Sequence, residues 1–234
     1  MRHSNKKKMI AKRALSVRTS PSPRSRDEDW DAEARTLLAR VNVQRDDNRE
    51  SYRHVDCIYR HPTTHAKLFV GNLMAARNVR LLEAENIFRV VNTQDVSSAN
   101  FFEDDARFAY RRFPVSRWRE APDMGTAAGV LRFFEEGCHA WIAEQLQAGN
   151  NVLVHCLAGA HRAGTTGVSF MMREGRFTVE TAIRLAKSLR PVIDPIGSLR
   201  DLLGRLARAY AAAGNPALPM ASGWERAEDE SPPS

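Results

Sequence analysis

The sequence predicts an α/β fold, with a central, mainly parallel sheet flanked by helices. Three observations lead there. Short runs rich in β-branched and large apolar residues, Lys67–Asn72, Ile87–Asn92 and Val152–Val154, have the length and content of strands. Segments with apolar residues at helical spacing lie between and after them, and strands alternating with helices imply a mainly parallel sheet. With 43% hydrophobic residues in a chain of 234, there is enough apolar material for one domain of ordinary size plus tails, and no run approaches the length of a membrane span.

Taken in order, residues 1–55 read as a basic, largely disordered extension. Residues 1–26 hold nine Lys or Arg and no acid, exceeding the whole formal net charge of +7, and they are poor in large apolar side chains. A short helix is expected over 28–43, where an acidic first turn precedes Trp30, Ala34, Leu37, Leu38 and Val41 at helical spacing. The folded domain is expected over 56–213. After the strand at 67–72 come a helix at Leu81–Glu85, the strand at 87–92, and a strand at Phe108–Val115 whose Pro114 places it near a sheet edge. A loop follows from Ser116 to Asp123. Gly129–Gln147 reads as a helix with Leu131, Phe134, Cys138, Trp141, Ile142 and Leu146 on one face. Gly149-Asn150-Asn151 turns the chain into the central strand. Beyond it, helices are expected at Thr165–Arg173, at Thr178–Leu189 with Thr178 as N-cap, and at Ser198–Ala213. Residues 214–234 read as a flexible tail containing Pro and acids.

The chemistry concentrates after Val152–Val154. That strand stops at Cys156, passes through a loop, Leu157, Ala158, Gly159, Ala160 and His161, and from Arg162 enters a segment rich in helix-tolerant residues. A strand-loop-helix of this kind points successive backbone N–H groups into one concavity with a helix N-terminus behind it. Such a concavity binds dianionic oxygens and favours a thiolate over a thiol. Five residues separate Cys156 from Arg162, so an arc of loop can bring a nucleophile beneath a phosphorus and a guanidinium fork onto two of its oxygens. Leu157 to His161 contribute chiefly backbone donors, and Gly159 permits a close approach. Cys138, in a helical apolar stripe, reads as core.

His155-Cys156-x-x-Gly159-x-x-Arg162, preceded by an apolar strand and followed by Gly164-Thr165-Thr166, resembles the signature loop of the cysteine-dependent protein tyrosine phosphatase superfamily. The Ala158-Gly159 pair and the compact surroundings are most similar to the atypical dual-specificity branch. The strand ending in Gly71-Asn72 resembles that family's early strand, and the 190–197 loop with its helix resembles its closing element, with the usual polar residues after the proline changed. The resemblance implies a protein tyrosine phosphatase-like fold and a phosphatase acting on phosphotyrosine and on phosphoserine or phosphothreonine. Cys156 would be the nucleophile, Arg162 the phosphate clamp, and no metal or organic cofactor would be needed. It also implies a general-acid Asp on a loop about thirty residues before the Cys. Asp123, 33 residues before Cys156, fits best, although it also reads as an acid at a helix N-terminus. Asp95, Asp104 and Asp105 are lesser candidates. His155 is expected to buttress the loop by hydrogen bonding. One departure stands out: the family carries Ser or Thr after the Arg, and this chain has Ala163. A slow second step is therefore expected unless Thr165 or Thr166 supplies the hydroxyl.

Other functions fare less well. Gly159-x4-Gly164-Thr165-Thr166 lacks the Lys that a nucleotide-binding P-loop requires. No aromatic platform accompanies the basic N-terminus, so nucleic-acid binding as the main function is poorly supported. The alternatives that remain are a catalytically weak phosphate-binding pseudophosphatase and a phosphatase of phosphoinositides or RNA 5′-triphosphates. The expected partner is a phosphorylated protein, with the basic tail offering a patch to an anionic one. Three cysteines (Cys57, Cys138, Cys156) without metal-like spacing suit an intracellular setting, cytoplasm or nucleus, with organellar import through the basic N-terminus left open.

Overall fold

A computed structural model describes residues 29–43 and 52–217. The disorder expected over 1–26 and in most of the 214–234 tail falls outside those residues. Five strands, β1 (Val55–Arg60), β2 (Lys67–Gly71), β3 (Ile87–Asn92), β4 (Ala109–Arg112) and β5 (Asn151–His155), form one sheet in the order β1-β2-β5-β3-β4. β2, β5, β3 and β4 run parallel and only β1 is antiparallel to its neighbour. The expected mainly parallel sheet is therefore present, and β4 lies at the edge that Pro114 foretold.

The helices are α1 (Trp30–Val43), α2 (Leu73–Ala76), α3 (Val79–Ala84), α4 (Ala127–Phe134), α5 (Ala140–Gln147), α6 (Arg162–Gly175), α7 (Val179–Leu189) and α8 (Gly197–Ala212). Side chains alternate across the sheet. Leu68, Val70, Val152 and Val154 enter a core with Phe134, Val168, Phe170, Leu202 and Leu206 from α4, α6 and α8. Phe69, Val90 and Leu153 enter a second core with Ala75, Ala76 and Leu82 from α2 and α3. With both faces covered, β5 reads as a continuous apolar run. Each fully buried Leu, Val or Phe contributes roughly 1.5–3 kcal/mol of burial, and β5 sits at the centre of that investment. The Cys at its end inherits a rigid base.

Several elements differ from expectation. β1 was not foreseen, because a register shift between Cys57 and Tyr59 breaks its alternation. The 116–123 loop begins as a 3₁₀ turn, Val115–Glu120, anchored by Trp118, which is buried between the Arg119 and Arg205 guanidinium groups at 4.9 and 5.2 Å. The helix expected over 129–147 is α4 and α5 joined by a π turn, Glu135–His139. Gly137 lies in that turn against the Phe113 ring, where a Cβ would come within 2.5 Å of Cε2. Thr178 caps α7 as expected, its Oγ1 accepting from the Thr181 N–H at 3.2 Å. Cys138 is fully buried core, and burial drives its thiol well above the ordinary range. No helix among the described residues is long and apolar enough to cross a membrane.

Candidate active site

The loop from Cys156 to His161 is shaped by what holds its carbonyls. Leu157 O accepts from the Leu73 N–H at 3.1 Å, and Ala160 O from the Asp194 N–H at 3.1 Å. Ala158 O accepts from the Tyr52 hydroxyl at 2.6 Å, and Gly159 O from Arg190 Nε at 3.0 Å. At the base, His155 O takes both the N–H and the hydroxyl of Thr93, at 3.0 and 2.7 Å. In a trans peptide the C=O and the following N–H point in opposite directions, and the described chain contains no cis bond. Drawing these carbonyls outward therefore turns the N–H groups of residues 158–161 inward. One of them, from Gly159, donates to Cys156 Sγ at 3.2 Å. Gly159 itself has φ +68°, and a Cβ there would lie 2.5 Å from Gly71 O. Glycine is required at this point on both counts.

Two buttresses were not legible in the sequence. Arg190, 1% exposed, bonds Gly159 O, Ala158 O at 3.4 Å, Arg53 O at 3.0 Å and the Asp56 carboxylate at 2.5 Å, and it stacks on the Tyr52 ring. Asn72 caps α2 through Oδ1 and donates to the Tyr52 hydroxyl at 2.8 Å. A lone Arg before a Pro reads as loop. The only available signal was that a buried arginine demands a carboxylate, and Asp56 stands 134 residues away.

Arg162 opens α6, and its Nη2 bonds the carboxylate of Asp31 in α1. His161 Nδ1 donates to Asp194 O at 2.6 Å, which fixes the proton on that nitrogen. The structure thus sets Cys156 at the start of the 156–161 loop and Arg162 at the head of the helix that follows it, and joins Arg162 to Asp31, which the sequence reading did not place there. Asp123 stands apart. It lies in the turn before α4 with φ +60°, its carbonyl accepting from the Thr126 N–H and its carboxylate paired with Arg132 at 2.7 Å on the surface. Thr126, not Asp123, caps α4. Of the lesser candidates, Asp105 is gripped by Arg107, whose hydrogen bonds hold its carboxyl below the usual range and make it a poor proton donor.

His155 departs from its expected role. The ring is buried, neither nitrogen has a hydrogen-bond partner, and burial pushes its pKa down to about 3 against a smaller opposing pull from the Cys156 backbone. It acts as a neutral packing block, not a hydrogen-bonded strut. The hydroxyls of Thr165 and Thr166 are spoken for as well, bonding the carbonyls of His161 at 2.7 Å and Arg162 at 3.1 Å within α6. With their protons committed there, neither hydroxyl is free to replace the one that Ala163 lacks.

A concavity of inward N–H groups with a thiol at its floor and a guanidinium at its rim can bind a phosphoryl group and attack it. The family model for the dual specificity phosphatase catalytic domain matches residues 68–205. Human dual specificity protein phosphatase 9 is 27% identical over 168 residues, 71% of this chain and 41% of that protein. Dual specificity protein phosphatase 1B of Arabidopsis thaliana is 32% identical over 123 residues, 53% of this chain and 67% of that protein. The match to the Slingshot homolog of Xenopus laevis spans only 18% of that protein. The crystal structure of human DUSP28 shares the fold, with a TM-score of 0.53 at 20% identity over 68% of this chain and 96% of that one. The chain belongs to the dual specificity phosphatase family.

Proposed function

We propose that this family member is a cysteine-dependent protein phosphatase that hydrolyses phosphotyrosine and phosphoserine or phosphothreonine through a phosphocysteine. The observation that carries the reading is the outward capture of the loop carbonyls, which turns the 158–161 N–H groups inward, that of Gly159 onto Cys156 Sγ, ahead of Arg162 at the head of α6. In the first step the Cys156 thiolate attacks phosphorus in line. The P–O bond to the substrate oxygen breaks, and Asp123 delivers its proton to that oxygen. In the second, water attacks phosphorus, Asp123 takes a proton from it, and the S–P electron pair returns to sulfur as phosphate leaves. Backbone donors and Arg162 stabilise the equatorial oxygens throughout. To act, Asp123 must leave Arg132 and turn inward with its 121–126 loop.

The test is hydrolysis of a small aryl phosphate from pH 5 to 8 by wild type, Cys156→Ser and Asp123→Ala. Cys156→Ser is expected to abolish turnover. A general acid works only while protonated, so the rate should fall as pH rises through its titration. Asp123→Ala should flatten that alkaline fall and lower kcat by about 10²–10⁴-fold. Wild-type inactivity with retained tungstate binding would instead establish a phosphate-binding pseudophosphatase. Ala163 sharpens the second step. Rapid mixing should show a burst of phenolate equal to enzyme, and Ala163→Ser should raise the steady rate about tenfold, the worth of one charge-assisted hydrogen bond to the departing sulfur.

A further inference from the structure

We propose that α1 is a built-in lid on this site, with the Asp31 carboxylate standing in the seat of a substrate phosphate. The proposal rests on the phosphate-binding role given to Arg162 above. Three sets of contacts carry it. Asp31 Oδ1 meets Arg162 Nη2 directly, so a carboxylate oxygen stands where the guanidinium would take a phosphoryl oxygen. Asp29 caps α1, its Oδ1 accepting from the N–H groups of Asp31 and Ala32 at 3.1 and 2.9 Å, which holds Asp31 rigid in the first turn. One face of α1 then seals the loop. Trp30 lies against the His161 ring with centroids 6.1 Å apart, Ala34 is buried with Ala158 and Ala160, and Leu37, Leu38, Leu157 and Val192 pack around that cluster.

The result is that Cys156 and Arg162 are each only 2% exposed. A phosphorylated protein cannot reach Sγ until α1 moves. The helical spacing of Trp30, Ala34, Leu37 and Leu38 is thereby explained by the catalytic loop itself. Asp31 is also misplaced for acid catalysis. The acid must face the leaving oxygen, opposite the thiolate across phosphorus, whereas Asp31 sits on the fork that grips equatorial oxygens. Substrate therefore competes with an internal anion, and its apparent affinity is the intrinsic affinity multiplied by the fraction of time that α1 is away.

The experiment uses the full chain as wild type, Asp31→Ala and Trp30→Ala. Tungstate is titrated calorimetrically, and KM and kcat are measured on an aryl phosphate. The lid predicts tungstate binding at least about tenfold tighter in Asp31→Ala, a parallel fall in KM, no loss of kcat, and a smaller gain in Trp30→Ala. Unchanged tungstate affinity in both variants would overturn it, as would a fall in kcat in Asp31→Ala, which would make Asp31 a participant in the chemistry. If no variant hydrolyses the aryl phosphate yet Asp31→Ala binds tungstate more tightly, the catalytic reading fails and the lid stands. If all turn over and bind alike, catalysis stands and the lid fails. Absence of tungstate binding in every variant removes the phosphate seat and the lid together.

Discussion

The backbone carbonyls of the signature loop from Leu157 to Ala160 are each taken by a group from another part of the fold, among them the buried Arg190 guanidinium and the Tyr52 hydroxyl. Asp123, proposed to serve the same reaction, is fixed by two bonds from Thr126 and one pair with Arg132 whose side chains are about half exposed. The loop proposed to seat phosphate is built once, at folding. The proposed proton donor is held so weakly that it can be rearranged in each cycle. Preorganisation is concentrated where charge must be stabilised, and freedom is left where a group must arrive and depart.

The contrast can be broken from either side. Arg190→Met removes one member of a buried pair, side chains 1% and 11% exposed, leaving the Gly159 carbonyl without its donor and Asp56 with only the exposed Arg53 at 3.4 Å. A loss of about 3–5 kcal/mol in urea unfolding is expected, with loss of tungstate binding. A smaller change would mean that the loop holds its shape without its long-range anchors.

Acid acts on the same buried region. His139, stacked on Phe134 and bonded to Ser169, and His155 beneath the loop both have pKa values pushed down to about 3 by burial. Between about pH 6.5 and 3 the unfolded chain binds more protons than the folded one, so stability is present above that window and drains away as pH falls. Each histidine contributes about 1.4 kcal/mol per pH unit there. Denaturation at pH 7 and pH 5 should differ by on the order of 4 kcal/mol, and His155→Asn should remove about half of that difference.

Arg132→Ala is the mildest. Removing a surface pair should change stability by no more than about 0.5 kcal/mol. The pH profile of aryl phosphate hydrolysis should nevertheless change, because Asp123 loses the partner that holds it turned away from the loop. An unchanged profile would detach Asp123 from the chemistry.

Much of this architecture could be read from the chain because it obeys local rules. β2, β3 and β5 are apolar runs of strand length, Thr178 is an N-cap three residues before the N–H it accepts from, and the Cys156–Arg162 spacing is a property of one loop. What escaped depends on distant partners. β1 hides behind its register shift at Cys57–Tyr59. The π turn answers to Phe113 pressing on Gly137, and Arg190 answers to Asp56. α1 was legible as a helix with an apolar face, yet periodicity names the face and not what it covers. Its docking on Ala158 and Ala160 could come only from coordinates.

The reach of Arg190 also bears on how the molecule folds. Its guanidinium joins residues 53 and 56 at the start of the domain to 158 and 159 near its middle and to its own position at 190. Contacts of such sequence separation form late, after the entropy of closing long loops has been met. During refolding, helices such as α6 and α8 should report structure before the thiol has its surroundings. The capacity to bind a phosphate analogue should then be among the last properties recovered, making it a reporter of the completed domain rather than of any one segment.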